Sequence, residues 1–185
     1  SASEPKFDVV LQSAGTLTVD LQNRNYAIKV LTAAIKAIGP QLDAKVDLKL
    51  SELQVTPEIL RVAEFQVSVD ARQADNAVKG RLSTPIEANL ETQLFQLPKL
   101  AGEFDITSPT LPMKTLRVPL AGAVSADMKL QTVKADLTSR LDESNIKAKL
   151  DLNNFTARFT RFDIDIDKLN LDRYLPPKEP NPGVP

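Results

Sequence analysis

The chain of 185 residues contains no histidine and no cysteine. Without histidine it lacks the side chain that most readily transfers protons near neutral pH. Without cysteine it has no thiol nucleophile, no thiolate metal ligand and no disulfide. Any catalysis would fall to carboxylates, Lys, Ser or Tyr. Missing cysteine also leaves the redox compartment unread, because a secreted domain without disulfides and a cytosolic one look alike. Glycine occurs only 6 times and is scattered, so no glycine-rich phosphate loop is present. No nucleophile–base pair or isolated carboxylate pair stands out, and the expectation is a protein that is not an enzyme and uses no cofactor.

Excess charge of one sign is also absent. Lys+Arg 23 against Asp+Glu 24 leaves a net charge of -1, too little to steer the chain toward nucleic acid or an anionic surface, so no nucleic-acid partner is expected. No run approaches the ~18 consecutive apolar residues of a membrane-spanning helix. The opening SASEPK lacks the basic start and apolar stretch of a signal peptide. An abrupt start followed at once by Phe7, Val9 and Leu11 is consistent with a piece of a longer exported or anchored chain.

What the sequence does hold is alternation with a period of two, which sets apolar and polar side chains on opposite faces of strands. Leu17, Val19 and Leu21 alternate with Thr18 and Asp20; Val46, Leu48 and Leu50 with Asp47 and Lys49. The pattern continues at Phe65–Val69, at Val78 and Leu82, through Ile86, Ala88, Leu90 and Leu94, and at Phe104 and Ile106. It resumes through Val118, Leu120, Val124, Met128 and Leu130, then Val133–Leu141, Ile146–Leu152 and Phe162–Ile166. About ten strands joined by short links predict an antiparallel meander, since a parallel crossover needs a dozen or more residues. Turns are expected at Asp75-Asn76, at Ser108–Pro112 and at Asp142-Glu143-Ser144-Asn145.

One stretch departs from alternation. Tyr26, Val30, Leu31, Ala34, Ile35 and Ile38 follow helical spacing, with Asn25 placed to cap the start and Gly39-Pro40 to end it, which predicts an amphipathic helix over Tyr26–Ile38. A second, shorter helix is predicted over Pro57–Ala63, capped by Thr56. The expected fold class is thus mainly β with one or two short helices. An antiparallel meander sheet would curl into a groove, taco-like or half-barrel in shape, with the amphipathic helix packing at one end.

Ten strands of about six residues present one face on the order of 1,000 Å². A thirteen-residue helix covers only about 200 Å² of it. The uncovered apolar area exceeds the usual ~300–600 Å² patch of a soluble monomer, so the sheet either closes on itself as a sandwich or barrel or forms a trough for an apolar ligand. Composition leaves both open.

The segment Phe162-Asp163-Ile164-Asp165-Ile166-Asp167 running into Leu171-Asp172-Arg173-Tyr174-Leu175-Pro176-Pro177 resembles the end of the β-rich region of AsmA-family proteins. Upstream, Val78–Ser83, Leu97–Glu103 and Val118–Gly122 fall in the order and spacing of that family, so the resemblance covers about Leu60 to Pro177. It implies a single β-rich AsmA-like domain over 1–177, a fragment of a larger protein, with 178–185 a disordered Pro-rich tail or linker. It further implies a periplasmic location, with the full-length protein anchored in the inner membrane by an N-terminal helix, and a part in outer-membrane biogenesis. The family is similar to bridge-like proteins whose β-grooves carry phospholipid between membranes. Expected partners are therefore phospholipid, the remaining domains of the full-length protein including its membrane anchor, and outer-membrane assembly factors.

On that reading Val46, Leu48, Phe65, Val67, Leu90, Phe104, Ile106, Leu120, Leu137, Leu150 and Ile164 line an apolar groove that binds acyl chains. The alternative is an interaction or scaffold module that assists outer-membrane protein assembly by adding a client strand to a sheet edge. Asp163, Asp165 and Asp167 share one strand face, but alternation opposite Phe162, Ile164 and Ile166 explains them as a solvated face, and no metal is expected. Asp172-Arg173-Tyr174 reads as a local ion pair that ends the last strand, with Pro176-Pro177 blocking its continuation; the alternative is a contact surface for a following domain. The sequon Asn154-Phe155-Thr156 is short enough to arise by chance.

Overall fold

A computed structural model of the chain describes residues 8–111, 113–141, 143–155 and 159–168. The Leu171–Pro177 segment, the 172–174 group, Phe7 and the proline-rich 178–185 lie outside the described residues. Ten strands form one antiparallel sheet in sequence order: β1 (Asp8–Asp20), β2 (Asn25–Gly39), β3 (Leu42–Val55), β4 (Ile59–Gln73), β5 (Asn76–Asn89), β6 (Leu94–Thr107), β7 (Thr115–Asp127), β8 (Thr132–Leu141), β9 (Ser144–Asn153) and β10 (Phe159–Ile166). β1 and β10 remain unpaired with each other, so the sheet is not closed into a barrel.

Both expected helices are corrected: the described residues contain none. Tyr26–Ile38 lies within strand β2, paired to β1 and β3 along its length. Its misleading spacing has a specific cause. Pairing with β1 shifts by one residue between Leu31 and Ile28, so β2 carries a bulge there. The extra residue moves the alternation out of phase, and apolar Val30 at the bulge with Ala34 and Ile38 on the polar face complete a spacing that imitates a helical stripe. The true face members are Tyr26, Ile28, Leu31, Ala33, Ile35 and Ala37, while Gly39-Pro40 leads into the β2–β3 turn.

The second expected helix is a tight turn followed by β4. Thr56 Oγ1 accepts hydrogen bonds from the amides of Glu58 (3.3 Å) and Ile59 (3.1 Å). The Thr56 amide donates to the Ile59 carbonyl at 2.9 Å. A hydroxyl that would cap a helix caps a turn equally well, because both present free amides two and three residues on.

The bulges fall at one level across the sheet. β2, β3 and β4 keep register with one another but shift together against β1 and β5, near Lys29-Val30, Ser51-Glu52 and Ala63-Glu64. Glu52 takes a left-handed φ of 54° there. β6 carries its own extra residue around Pro98-Lys99 against both β5 and β7. Pro98 thus stands at a bulge and Pro85 opposite one, positions where a missing amide leaves no ladder bond broken. Each bulge bends its strand and adds local twist.

Candidate functional site

Tracing register partners across the ladders assigns every strand residue to a face, because directly opposed residues share one. One row runs Leu48, Val67, Leu82, Gly102, Leu120, Ser139, Ile146 and Ile166 from β3 to β10. Another runs Leu97, Val124, Ala135, Leu150 and Phe162 from β6 to β10. Among the described residues no Asp, Glu, Lys or Arg occupies this face. Its polar side chains are few: Thr84, Ser139 and Ser144 within it, with Gln73, Asn76 and Thr160 at strand ends.

The hydroxyls of Thr84 and Ser139 are already occupied. Ser139 Oγ donates to the Pro119 carbonyl at 2.6 Å and Thr84 Oγ1 to the Pro85 carbonyl at 2.9 Å. Among the described residues no buried side-chain polar atom lacks a partner. The middle of the face therefore offers a ligand chiefly apolar contact, with the Tyr26 hydroxyl and the side chains of Gln73, Asn76 and Thr160 confined to strand ends.

Ten of the expected lining residues, Val46, Leu48, Phe65, Val67, Phe104, Ile106, Leu120, Leu137, Leu150 and Ile164, share this face. Leu90 does not. β5 ends at Asn89 and β6 begins at Leu94, so Leu90 belongs to the intervening turn. Leu94 pairs with Asn89 and Asp127 on the opposite face. Leu21, Met128 and Leu130, read as strand positions from alternation, likewise fall in turns. Sequence reading missed the part of the face contributed by β2, the strand on which Ile28, Leu31 and Ile35 lie.

Shelter differs between the two faces, and alanine makes a comparison free of side-chain size. On the apolar face Ala33, Ala37, Ala44, Ala71, Ala126 and Ala148 are half-buried, and Ala88 and Ala135 are buried. On the polar face Ala14, Ala27, Ala101, Ala121 and Ala123 are exposed, and only Ala34 and Ala77 are half-buried. Val62, 1% exposed, lies at the bulge level with Thr84, Leu100 and Ala135 also buried near it, while buried Ala88 and Ser144 lie toward strand ends. Yet the described residues contain few fully buried hydrophobic side chains and form no second layer over the face.

Glycines shape this floor. Gly80, Gly102 and Gly122 sit on β5, β6 and β7 along a diagonal, each one strand across and one apolar position along from the last. A Cβ at Gly80 would collide with the Phe104 ring, and one at Gly102 would stand 2.9 Å from Leu82 Cδ1 and 2.7 Å from the Arg81 carbonyl. At Gly122 it would lie 3.0 Å from Leu137 Cδ2. Large neighbours thus lie flat over the glycines and keep the face continuous. A local hollow of about 190 Å³ opens at Gly15, bordered by Leu17, Ile28 and Leu31.

The opposite face carries cross-strand rows of alternating charge. Lys45, Asp70, Lys79, Asp105 and Arg117 stand opposite one another from β3 to β7, with Lys79 Nζ 3.0 Å from Asp70 and Arg117 Nε 2.9 Å from Asp105. The Asp105 hydrogen bond, with the charges of Asp105 and Glu103, raises the Arg117 pKa. Asp163 and Asp165 stand opposite Lys149 and Lys147, and Asp163 also pairs with Arg161 Nε at 2.9 Å. Depressions of about 650 Å³ over Ala14, Ala34 and Ser68 and about 460 Å³ over Ala121 and Thr138 lie on this face, open to solvent between charged side chains.

Comparison with family models, with curated proteins and with solved structures gave no match to this chain.

Proposed function

We propose that the sheet curls toward its apolar face to form a trough, and that this trough binds the acyl chains of phospholipid. The single observation that carries the reading is an apolar face spanning ten strands that, among the described residues, is free of charge, has its alanines more sheltered than those of the polar face and is covered by no second layer. The bulges favour such a curl, since their extra residues, among them Lys29, Glu52, Glu64 and Lys99, lengthen the polar side of the sheet. Strands of 13–15 residues over most of its width give a face on the order of 2,000 Å², about twice the area estimated from six-residue strands.

Chemistry favours acyl chains over other apolar ligands because the face is aliphatic and continuous rather than a closed pocket. Burying a methylene is worth ~0.8 kcal/mol, and a chain sheltered on one side gains a fraction of that per carbon. A long chain is held without being locked. With no charge inside, headgroups stay at the rim and are not selected by ion pairing. The resemblance of Phe162–Pro177 to AsmA-family proteins supports placing this trough in a periplasmic, inner-membrane-anchored protein of outer-membrane biogenesis that moves lipid between membranes.

Mass spectrometry of an organic extract from the purified chain tests the reading. Co-purifying phospholipid in stoichiometric amount is the expected result; a lipid-free protein whose apolar face is protected by self-association would overturn it.

The edge strand β1 favours a second reading as an assembly module. Across Asp8–Asp20 it contains no Pro, Lys or Arg, the residues that commonly block strand addition. Crosslinking from β1 against crosslinking from Leu120 separates the readings: client protein on the edge supports strand addition, lipid on the face supports the trough.

A further inference from the structure

The turns at the two ends of the strands differ in kind. At one end lie β2–β3, β4–β5, β6–β7 and β8–β9; of these, Pro40-Gln41 and Ala74-Asp75 are two-residue turns without a large apolar side chain. Only the 108–114 loop there brings forward Leu111 and Met113. At the other end three turns repeat one five-residue word: Asp20-Leu21-Gln22-Asn23-Arg24, Asn89-Leu90-Glu91-Thr92-Gln93 and Asp127-Met128-Lys129-Leu130-Gln131.

Each word is built alike. The first side chain accepts a hydrogen bond from the amide three residues on: Asp20 from Asn23 (3.1 Å), Asn89 from Thr92 (2.8 Å) and Asp127 from Leu130 (2.8 Å). The last residue takes a left-handed φ of 52°, 59° or 54°. The second position holds Leu, Leu or Met, where turn chemistry calls for no apolar residue and ordinarily favours polar ones. At that position Leu21 is 78% exposed, Met128 is 45% exposed and Leu90 is half-buried, and Leu130, two residues after Met128, is 71% exposed.

Successive turns at this end are also stitched together. The Leu90 amide donates to the Glu58 carbonyl (2.7 Å), Met128 to Gln93 (3.0 Å) and Asn154 to Gln131 (2.9 Å). At the opposite end only Ala74 to Gln41 (3.2 Å) joins two turns among the described residues. The turns carrying Leu90, Met128 and Leu130 are therefore held in line along one lip of the sheet, about 10 Å apart because each turn spans two strands, with Leu21 on the same lip about 20 Å further along, beyond the β3–β4 turn.

We infer that this lip seats on the surface of a neutral lipid bilayer, inserting Leu21, Leu90, Met128 and Leu130 among the headgroups. A line one residue deep suits shallow insertion and is too thin to build the ~800 Å² per partner of a stable protein interface. Its described charges, Arg24 and Lys129 against Asp20, Glu58, Glu91 and Asp127, leave a small negative excess, so anionic lipid is not favoured. The lip borders the apolar face, and on the trough reading, on which this second step rests, chains pass sideways from bilayer to trough over it.

The test is flotation of the full chain with phosphatidylcholine vesicles, with bound lipid measured on the same preparations. A Leu21→Ser/Leu90→Ser/Met128→Ser variant is expected to lose flotation at least about tenfold, while Met113→Ser at the opposite end floats like the parent. Flotation of the parent should survive high salt. Equal flotation of both variants, loss in salt, or a parent that does not float overturns the lip. Circular dichroism confirms folding, and Leu130→Ser alone, at an outward tip, gives a smaller loss of the same sign if the triple variant fails to fold. Lipid retained by a non-floating variant leaves the trough intact, whereas a lipid-free parent that still floats removes the trough and keeps the lip.

Discussion

Asp167 shows how much a single exposed carboxylate can organise at a sheet edge. Its oxygens accept the Asn145 amide at 2.7 Å and the Asn145 Nδ2 at 2.7 Å. The side-chain bond first, then the backbone bond, holds its pKa below the ordinary 3.8. A carboxylate depressed in the folded state stabilises above its unfolded value and loses that contribution as pH falls through the lower folded value. The Asn145 amide shift should therefore titrate with a midpoint below 3.8 in NMR spectra, and Asp167→Ala should abolish that titration; a midpoint above 3.8 would contradict the bond. Asp20 is lowered in the same sense by the Asn23 side chain, then the Asn23 amide. At the sheet's centre the decisive residue has no side chain. Gly102→Val would drive methyls into Leu82 and the Arg81 carbonyl, and overpacking of this kind costs about 1–3 kcal/mol. Urea denaturation should show it as a lowered midpoint, with Ala101→Val on the exposed face of the same strand close to neutral.

Strands in this molecule gain register from both faces. A slip of one residue would turn the apolar set outward, which burial forbids. A slip of two keeps the faces but sets Lys45 against Ser68 or Arg72 in place of Asp70, so the charge rows oppose it. Asp70→Lys, placing a third cation between Lys45 and Lys79, should destabilise the sheet by about 1 kcal/mol at low salt and less at high salt; a loss unchanged by salt would mean that packing, not charge, is responsible. Alternation exposed β3, β7, β8 and β9 plainly in the sequence because those strands hold one phase or break it once. β2 was illegible because its bulge shifts phase between Leu31 and Ile28, and spacing alone does not separate a bulged strand from a helix. The expected number of strands agreed with the structure through two compensating errors, the helix that is β2 and the runs Val78–Leu82 and Ile86–Leu94, which supply a single long β5 and the start of β6. Leu90, Met128 and Leu130 were placed on strands because apolar spacing continues unbroken through turns that only hydrogen bonding reveals.

At the scale of the whole molecule, a single-layer sheet has to account for its stability, and among the described residues no second layer covers it and the apolar face is the main hydrophobic surface. Its members are half-buried by one another over most of the sheet and exposed at the edges, where Leu17 on β1 and Phe162 and Ile164 on β10 stand, so the free energy left ungained is what a bound chain would supply. Leu120 and Ala121 put this to a direct test, since they are neighbours on β7 that face opposite sides. Leu120→Asp sets a charge on the apolar floor beside Gly102 and Ser139, where an acyl chain would have to strip it of water. Ala121→Asp sets the same charge on the polar face among exposed side chains. If the trough holds lipid, Leu120→Asp should lower co-purified phospholipid several-fold while Ala121→Asp leaves it at the parent level, both measured by mass spectrometry of extracts normalised to protein. Cross-strand pairing survives in both, because neither substitution removes a backbone hydrogen bond, and far-ultraviolet circular dichroism should read as β for each. Equal lipid in the two variants would place the bound lipid somewhere other than this face, and equal loss would trace it to general destabilisation rather than to what fills the sheet.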